Sequence, residues 1–212
     1  EAETVFNFWK YLYGQQDAWA KRHGIPSLLA HFGTSLVERA LIDAFCRHLQ
    51  LPFHRALAEN RFGIDFSTVR PERDGTQSNE WLPTEPLGQV PARHTVGLAV
   101  PVYESEISDQ ARIDDGLPES LEACIGFCGL KHFKIKICGD LDTDIARTKS
   151  IVTLLEQQAP NDYAFTLDGN EQFLDANQFR HHWNELSNNL SDSFLDHLLF
   201  VEQPFHRDIA LS

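Results

Sequence analysis

The stretch HFKIKICGDLDTDIARTKSIVTLLEQQAPNDYAFTLDGN, at residues 132–170, contains the pattern that decides the fold. It opens with an apolar run at 132–138, continues with a helical pattern at 143–158, and closes with a second apolar run at 163–168. A strand, a helix and a strand in this order form a unit whose crossover helix makes the two strands parallel. The sequence therefore predicts a parallel sheet that is covered by helices.

Similar segments flank this unit and repeat at a regular interval. From Lys134 to Asp168 is 34 residues, and from Asp168 to Glu202 is again 34 residues. The further apolar runs and helical patterns lie at 95–103, 118–128, 176–186 and 198–202. A βα repeat of this size is typical of two architectures, an open doubly wound sheet and a (β/α)8 barrel.

Capping residues predict where these helices begin and end. Asp142 and Asp175 stand directly before the helical patterns that start at 143 and 176, where a short carboxylate can accept hydrogen bonds from free backbone amides. Gly129 follows the pattern at 118–128 and is suited to end that helix, because glycine adopts the left-handed conformation without strain.

The first part of the chain is predicted to contain helices alone. Gly14 interrupts an aromatic-rich helical stretch, and Ser35 with Glu38 forms a capping box before a helix at 36–49. Pro52 then begins a short helix, and the polar, proline-rich residues that follow are typical of a connector. The predicted division is a helical part at 1–60, a connector at 61–94 and a βα part at 95–212.

Composition narrows the class of protein. The 212 residues include 42% hydrophobic residues, enough for a sizeable core, and 31 acidic against 18 basic residues, a net charge of −13. The acidic balance argues against a partner such as nucleic acid, because phosphate backbones are bound by basic faces. No run approaches the roughly 20 apolar residues of a membrane span. The four cysteines show no framework spacing, which indicates reduced thiols and a cytoplasmic protein.

Charged side chains stand at the ends of three consecutive predicted strands. Lys134 and Lys136 end one strand, Asp168 ends the next, and Glu202 ends the last. Barrel active sites are assembled from the carboxyl ends of successive strands, so this pattern favours the barrel over the open sheet. Neither GxGxxG nor GxxxxGK[ST] occurs, so the phosphate-binding alternatives lack their loops.

These residue types suggest metal-assisted proton abstraction. Asp168 and Glu202 would lie about 5 Å apart at the backbone, where two carboxylates repel and a hard cation such as Mg²⁺ can neutralise them. Lys134 and Lys136 are two residues apart and share one face of a strand. Each ammonium disfavours the charge of the other, and a lysine in such surroundings beside a metal is a workable general base.

Three motifs in order carry a family resemblance: Lys-Ile-Lys at 134–136, Leu-Asp-Gly-Asn at 167–170 and Val-Glu-Gln-Pro at 201–204. They resemble the enolase superfamily, and within it the mandelate racemase / muconate lactonizing enzyme branch. The segment at 37–57 is also similar to a helix of that branch's capping domain, so the resemblance covers about residues 35–205. It implies an α/β fold, part of a modified (β/α)8 TIM-type barrel preceded by helices of an α+β capping domain.

The resemblance also implies an activity and a set of roles. Members of this family remove a proton α to a carboxylate with Mg²⁺ as cofactor and an enolate intermediate, and they are lyases or isomerases: dehydratases, racemases, epimerases and cycloisomerases. The substrate would be a small carboxylate. By motif position, Lys136 would be the base and Lys134 its electrostatic partner. Asp168 and Glu202 would bind the metal, and Asn170 would bind the substrate.

The resemblance further implies that the sequence is an internal portion of a longer chain. The family's third metal ligand and second acid/base group would then follow Ser212. Four parallel strands of a barrel leave two open edges, and such edges recruit partners. We therefore expect a homo-oligomer rather than a stable monomer of this segment.

Two alternatives remain open at the level of sequence. The first is a barrel aldolase that forms a Schiff base through Lys134 or Lys136, which explains the lysines but leaves Asp168 and Glu202 without a partner. The second is a non-catalytic homologue that keeps the fold as a binding or structural protein.

Overall fold

The computed structural model describes residues 2–76, 80, 82–83, 85–158 and 162–210. The chain divides into two compact units, Glu1–Gly88 and Gln89–Ser212. The N-terminal unit contains α1 (Val5–His23), α2 (Ser27–Leu49), α3 (Phe53–Ala58) and 3₁₀ turns at Phe66–Thr68 and Pro71–Arg73. The C-terminal unit contains β1 (Arg93–Val96), 3₁₀ turns at Glu104–Glu106 and Asp109–Ala111, α4 (Leu121–Cys128), β2 (His132–Lys136), α5 (Leu141–Gln158), β3 (Ala164–Asp168), α6 (Ala176–Asn188), α7 (Asp192–Leu195) and β4 (Leu198–Glu202).

Helix α1 is continuous, so the predicted interruption at Gly14 is wrong. The helix begins after Thr4, whose Oγ1 accepts a hydrogen bond from the backbone N of Asn7 at 3.0 Å, and it ends at Gly24, which has a φ of 63°. A glycine inside a helix costs only about 1 kcal/mol relative to alanine. Helical residues on both sides of Gly14 outweigh that cost, whereas Gly24 ends the helix because its conformation is left-handed.

Helix α2 begins nine residues before the predicted start, so the capping box at Ser35 and Glu38 is also wrong. Ser35 lies inside the helix, and its Oγ donates a hydrogen bond to the carbonyl of Phe32 at 2.7 Å. A serine hydroxyl that bonds to the preceding turn is satisfied without ending the helix. The short helix after Pro52 is confirmed as α3.

The predicted connector at 61–94 is divided between the two units. Phe62 packs with Cys46 and Ala56 in the small core of the N-terminal unit. The residues from Gln89 onward belong to the C-terminal unit, where β1 begins at Arg93.

The C-terminal unit confirms the predicted parallel sheet. Its strands are ordered β1-β2-β3-β4, and every neighbouring pair is parallel. Strand β4 has the predicted bounds, but β1 ends at Val96 instead of continuing to residue 103. A turn closes there, because the backbone N of Val100 donates to the carbonyl of Gly97 at 3.2 Å.

The structure does not show the closed (β/α)8 barrel that the sequence predicts. Among the described residues the sheet is open, with β1 and β4 as its two edge strands. The architecture that the structure shows is therefore a mixed α/β fold with a four-stranded parallel sheet, which is coarser than the predicted (β/α)8 arrangement.

Alternation along the strands separates an apolar face from a polar face. The apolar face packs with residues of α4 to α7 in one core, and its fully buried strand residues are Val96, Phe133, Ile135, Phe165 and Leu167. The opposite face carries the intervening side chains of the same strands. Because every second residue points to the polar face, all the charged strand-end residues emerge on one side of the sheet.

Two of the three predicted helix boundaries are confirmed in the C-terminal unit. The Asp175 side chain accepts hydrogen bonds from the backbone N of Asn177 and of Gln178, and α4 ends at Gly129, with a φ of 61°. The boundary at Asp142 is wrong, because α5 already begins at Leu141 and Asp140 Oδ1 accepts from the Thr143 amide at 3.0 Å.

All four cysteines are free thiols. Within the described ranges, no helix combines the length and the apolar character that crossing a membrane requires.

Candidate active site

The predicted site residues of β2, β3 and β4 meet at the carboxyl edge of the sheet. The register pairs Lys136 with Asp168 and Asp168 with Glu202, so the three strand ends lie side by side. Lys134 Nζ lies 2.6 Å from Asp168 Oδ2 and 3.0 Å from Glu202 Oε1. One ammonium therefore bridges both carboxylates.

Asp168 is the most deeply buried member of this cluster. Its side chain is 2% exposed, and its two oxygens have different partners. Oδ2 faces Lys134, whereas Oδ1 accepts a hydrogen bond from the backbone N of Asn170 at 2.9 Å. The turn that makes this second bond possible places Asn170 at a φ of 44°, in the left-handed region that asparagine tolerates better than most residues.

Asn170 connects Lys136 to the end of β3. Lys136 Nζ donates a hydrogen bond to Asn170 Oδ1 at 3.3 Å, and Asn170 Nδ2 donates to the carbonyl of Asp168 at 3.4 Å. All five predicted site residues thus lie in one cluster, and the roles assigned to them remain predictions.

Two further polar residues, which were not predicted from the sequence, belong to the cluster. Arg93 Nη1 donates to Thr166 Oγ1 at 3.2 Å, and Arg93 Nη2 lies 3.5 Å from Glu202 Oε2. Thr166 stands two residues before Asp168, so strand alternation could have placed it on the same face. Arg93 lies on β1, whose start was predicted two residues too late, so Arg93 fell outside the predicted strand.

The electrostatics of Lys134 differ from the expectation for paired lysines. Hydrogen bonding to Asp168, and then to Glu202, raises the pKa of Lys134 although partial burial opposes this. The two carboxylates therefore shift the pKa of Lys134 upward, which is the opposite direction to the one predicted for paired lysines.

This raised pKa predicts how the Lys134 interaction depends on pH. In EDTA, the difference in unfolding free energy between wild type and Lys134→Met should be constant below the ordinary lysine pKa of 10.5, and it should shrink as the pH rises through the higher pKa of the folded state. The sign follows because only the protonated amine attracts Asp168 and Glu202. Urea unfolding of the C-terminal unit between pH 8 and 12 measures it.

Lys131→Met is the matched control for this titration. Lys131 pairs with Asp162 at an exposed position, where an ion pair contributes little to stability. A difference for Lys134→Met that stays constant up to pH 12 would contradict the assigned cause.

The loops after β3 and β4 pack tightly against each other beside the cluster. The backbone N of Gly169 donates to the carbonyl of Glu202 at 2.9 Å, and a parallel bridge joins Phe173 to Phe205 further along. A Cβ atom added at Gly169 would lie 2.7 Å from the Cα of Pro204. Glycine is required at this position because the two backbones approach so closely.

Gly169→Ala should therefore destabilise the C-terminal unit by about 1–3 kcal/mol, the usual cost of overpacking. The neighbouring atom belongs to the backbone of Pro204, which cannot move as a flexible side chain could. Gly126→Ala is the control, because Gly126 lies within α4 with open space around it and the change should stabilise by about 0.5–1 kcal/mol. Urea unfolding measures both, and equal effects would refute the close-approach argument.

The donor set fits a divalent cation. Asp168 Oδ2 and Glu202 Oε1 converge on one point, and Glu202 Oε2 is a buried oxygen without a hydrogen bond from any described residue. Mg²⁺ is commonly held by one or two carboxylates, with water and substrate oxygens completing its shell. The described part of the chain contains no group of three or more His, Cys, Asp or Glu side chains placed to hold a metal, so a cation held by Asp168 and Glu202 would need water or substrate oxygens as its other ligands.

A second buried polar cluster supports the end of β2. Asp144 is 1% exposed, and its oxygens accept hydrogen bonds from the backbone N of Cys138 at 2.8 Å and of Gly139 at 2.9 Å. His182 Nε2 lies 3.1 Å from Asp144 Oδ2. This clamp holds the loop that follows Lys136. The sequence offered no signal for it, because Asp144 resembles any acidic residue in a first helical turn.

Comparison with known proteins identifies no relative: no family model, curated protein or solved structure matches this chain. The fold and the site therefore define the class in structural terms alone. It is a mixed α/β protein with a lysine–carboxylate cluster at the carboxyl edge of a parallel sheet.

Proposed function

We propose that the protein containing this chain is a Mg²⁺-dependent enzyme that removes the proton α to the carboxylate of a small substrate, as a lyase or an isomerase. In this proposal the chain resembles the mandelate racemase / muconate lactonizing enzyme branch of the enolase superfamily, and its sheet is part of a (β/α)8 barrel preceded in the sequence by capping-domain helices. The observation that carries the proposal is the meeting of two lysines and two carboxylates at one sheet edge.

Asp168 and Glu202 would hold the metal. Mg²⁺ bound there supplies positive charge that offsets the negative charge developing on the substrate when its α-proton leaves. Arg93 lies on the polar face of the sheet. Its ion pair with Glu202, at 3.5 Å, keeps the Glu202 side chain oriented.

Lys136 is the better candidate for the base. Lys136 stands two residues nearer the carboxyl end of β2 than Lys134, on the side where barrel active sites lie. Without metal, hydrogen bonding to Asp168 and Glu202 raises the pKa of Lys134, which opposes the proton loss that a base requires. The hydrogen bond of Lys136 goes to the neutral amide oxygen of Asn170, which orients Nζ without adding negative charge. The proton would therefore move from the substrate to Lys136 Nζ.

One observation favours the non-catalytic alternative. Lys134 already neutralises both carboxylates, and a satisfied cluster of this kind can be purely structural. The aldolase alternative would use Lys136 as the nucleophile, and borohydride would then trap a carbonyl substrate on that residue. Under the proposed function, borohydride should trap no carbonyl substrate on Lys136. The cluster should also take part in the reaction and not be purely structural.

Proton exchange tests the proposal directly. The protein is incubated in heavy water with Mg²⁺ and a panel of 2-hydroxy, acid-sugar and N-acylamino carboxylates, and ¹H NMR follows the α-proton. We expect at least one carboxylate to lose its α-proton signal, EDTA to stop this loss, and Asp168→Asn to slow it by at least about 100-fold. Exchange that persists in EDTA and in Asp168→Asn would refute the assigned chemistry.

The proposal also covers location and assembly. Four free thiols fit a reducing compartment, so we place the protein in the cytoplasm. As a separate segment, the chain leaves both edge strands of the described sheet unpaired, and we propose that a second copy covers them in a homo-oligomer.

A further inference from the structure

Lys134 lies where the two carboxylates of the cluster converge. Its Nζ is 2.6 Å from Asp168 Oδ2 and 3.0 Å from Glu202 Oε1, and its side chain is 18% exposed. Neighbouring carboxylates need a positive charge between them, and an ammonium in this position already supplies it.

A divalent cation held by Asp168 and Glu202 would need oxygen atoms of the same two carboxylates. Mg²⁺ binds carboxylate oxygens directly, so it would compete with the hydrogen bonds that Lys134 makes to these residues. An ammonium and a metal ion on the same carboxylates repel each other strongly in a site that is partly shielded from water. Lys134 can withdraw, because its stem is flexible and its partial exposure leaves the ammonium a route to solvent.

We infer that Lys134 is an internal counterion of the metal site, which competes with Mg²⁺ for Asp168 and Glu202 and is released when Mg²⁺ binds. The inference rests on the proposed function, because it takes these two carboxylates as the metal ligands. It gives Lys134 a role separate from proton transfer. The lysine stabilises the metal-free cluster and sets the affinity for the metal.

Calorimetry with Mg²⁺ as the only ligand tests this competition. Lys134→Met keeps the length of the side chain and removes its charge, so we expect it to bind Mg²⁺ about 10- to 100-fold more tightly than wild type. Lys136→Met is the matched control. It removes the other ammonium of the same strand face, which bonds to Asn170 and not to a carboxylate, and it should change the affinity less than about threefold.

The possible results separate the inference from the function on which it rests. Tighter binding by Lys134→Met alone supports the inference. Equal affinities in wild type and Lys134→Met overturn it, and the metal assignment then still stands if Asp168→Asn abolishes binding. A complete lack of Mg²⁺ binding by wild type and both methionine variants overturns both.

A second measurement uses the unsubstituted protein, because Lys134→Met leaves the buried Asp168 without its cation and can lower the folding yield. Amine acetylation of Lys134 is quantified by mass spectrometry with and without Mg²⁺, and Lys131 serves as the internal reference. We expect Mg²⁺ to raise acetylation of Lys134 at least about threefold, because a released amine is more reactive than one bound to two carboxylates. Unchanged or lower acetylation of Lys134 overturns the inference.

Discussion

Lys136→Ala should slow exchange of the substrate α-proton by about 10²- to 10⁴-fold, the usual cost of losing a positioned general base. The effect is large because Lys136 Nζ is held at the carboxyl end of β2 by Asn170, beside the carboxylates proposed to hold the metal. Lys134 stands two residues further from the carboxyl end of β2, so it is less well placed to replace Lys136 at the substrate. The measurement is loss of the α-proton signal in heavy water, with a carboxylate that the wild type exchanges.

Two controls distinguish loss of a base from loss of structure. Lys131→Ala removes a lysine just before the same strand, whose partner Asp162 is exposed, and it should exchange at the wild-type rate. Calorimetry should show that Lys136→Ala binds Mg²⁺ nearly as wild type does. Wild-type exchange by Lys136→Ala, together with a large loss in Lys134→Ala, would mean that the two lysines have the opposite roles.

Asp144→Ala should destabilise the C-terminal unit by about 2–6 kcal/mol, because two backbone donors lose their acceptor and each such loss costs about 1–3 kcal/mol. The change leaves His182 without its partner and removes the acceptor of the Cys138 and Gly139 amides. Asp144→Asn should also destabilise the C-terminal unit strongly. The asparagine amide has only one acceptor oxygen, whereas the backbone donors of Cys138 and Gly139 bond to different oxygens of Asp144. Hydrogen exchange of peptides from the C-terminal unit, followed over a series of urea concentrations, measures the unfolding free energy of both variants.

The matched control is Asp142→Ala, which removes an exposed carboxylate two residues away in the first turn of α5. It should cost no more than about 0.3–1 kcal/mol, the value of a favourable charge near a helix N-terminus. Similar losses for Asp142→Ala and Asp144→Ala would show that the buried clamp adds nothing beyond that helix-end effect.

The elements that sequence predicted well are those decided by residues close together in the chain. Asp175 caps α6 through amides two and three residues away, and Gly129 ends α4 through its own backbone conformation. A run of apolar residues predicted the bounds of β4, and the two-residue spacing of Lys134 and Lys136 predicted their shared face. Each of these features depends on local geometry, which a single segment contains.

Local signals failed where longer segments compete with them. Gly14 and Ser35 are acceptable helix-ending signals, yet both lie inside long helices that pack against each other. The Gln16 side chain donates to the carbonyl of Ala30, and the rings of Tyr13 and His31 stack with centroids 3.7 Å apart. Contacts of this kind extend a helix beyond a weak local break, because packing contributes more than propensity.

At the site, sequence by itself determined which residue types stand at the strand ends, and from them the prediction of a carboxylate pair with two lysines. Only the tertiary structure decided how they pair. Lys134 lies between Asp168 and Glu202 and not simply beside Lys136, and Arg93 reaches Thr166, 73 residues further along the chain. Such contacts follow from strand register and side-chain rotamers across three or four strands. No segment of the sequence contains that information, because the partners approach only when the whole sheet has formed.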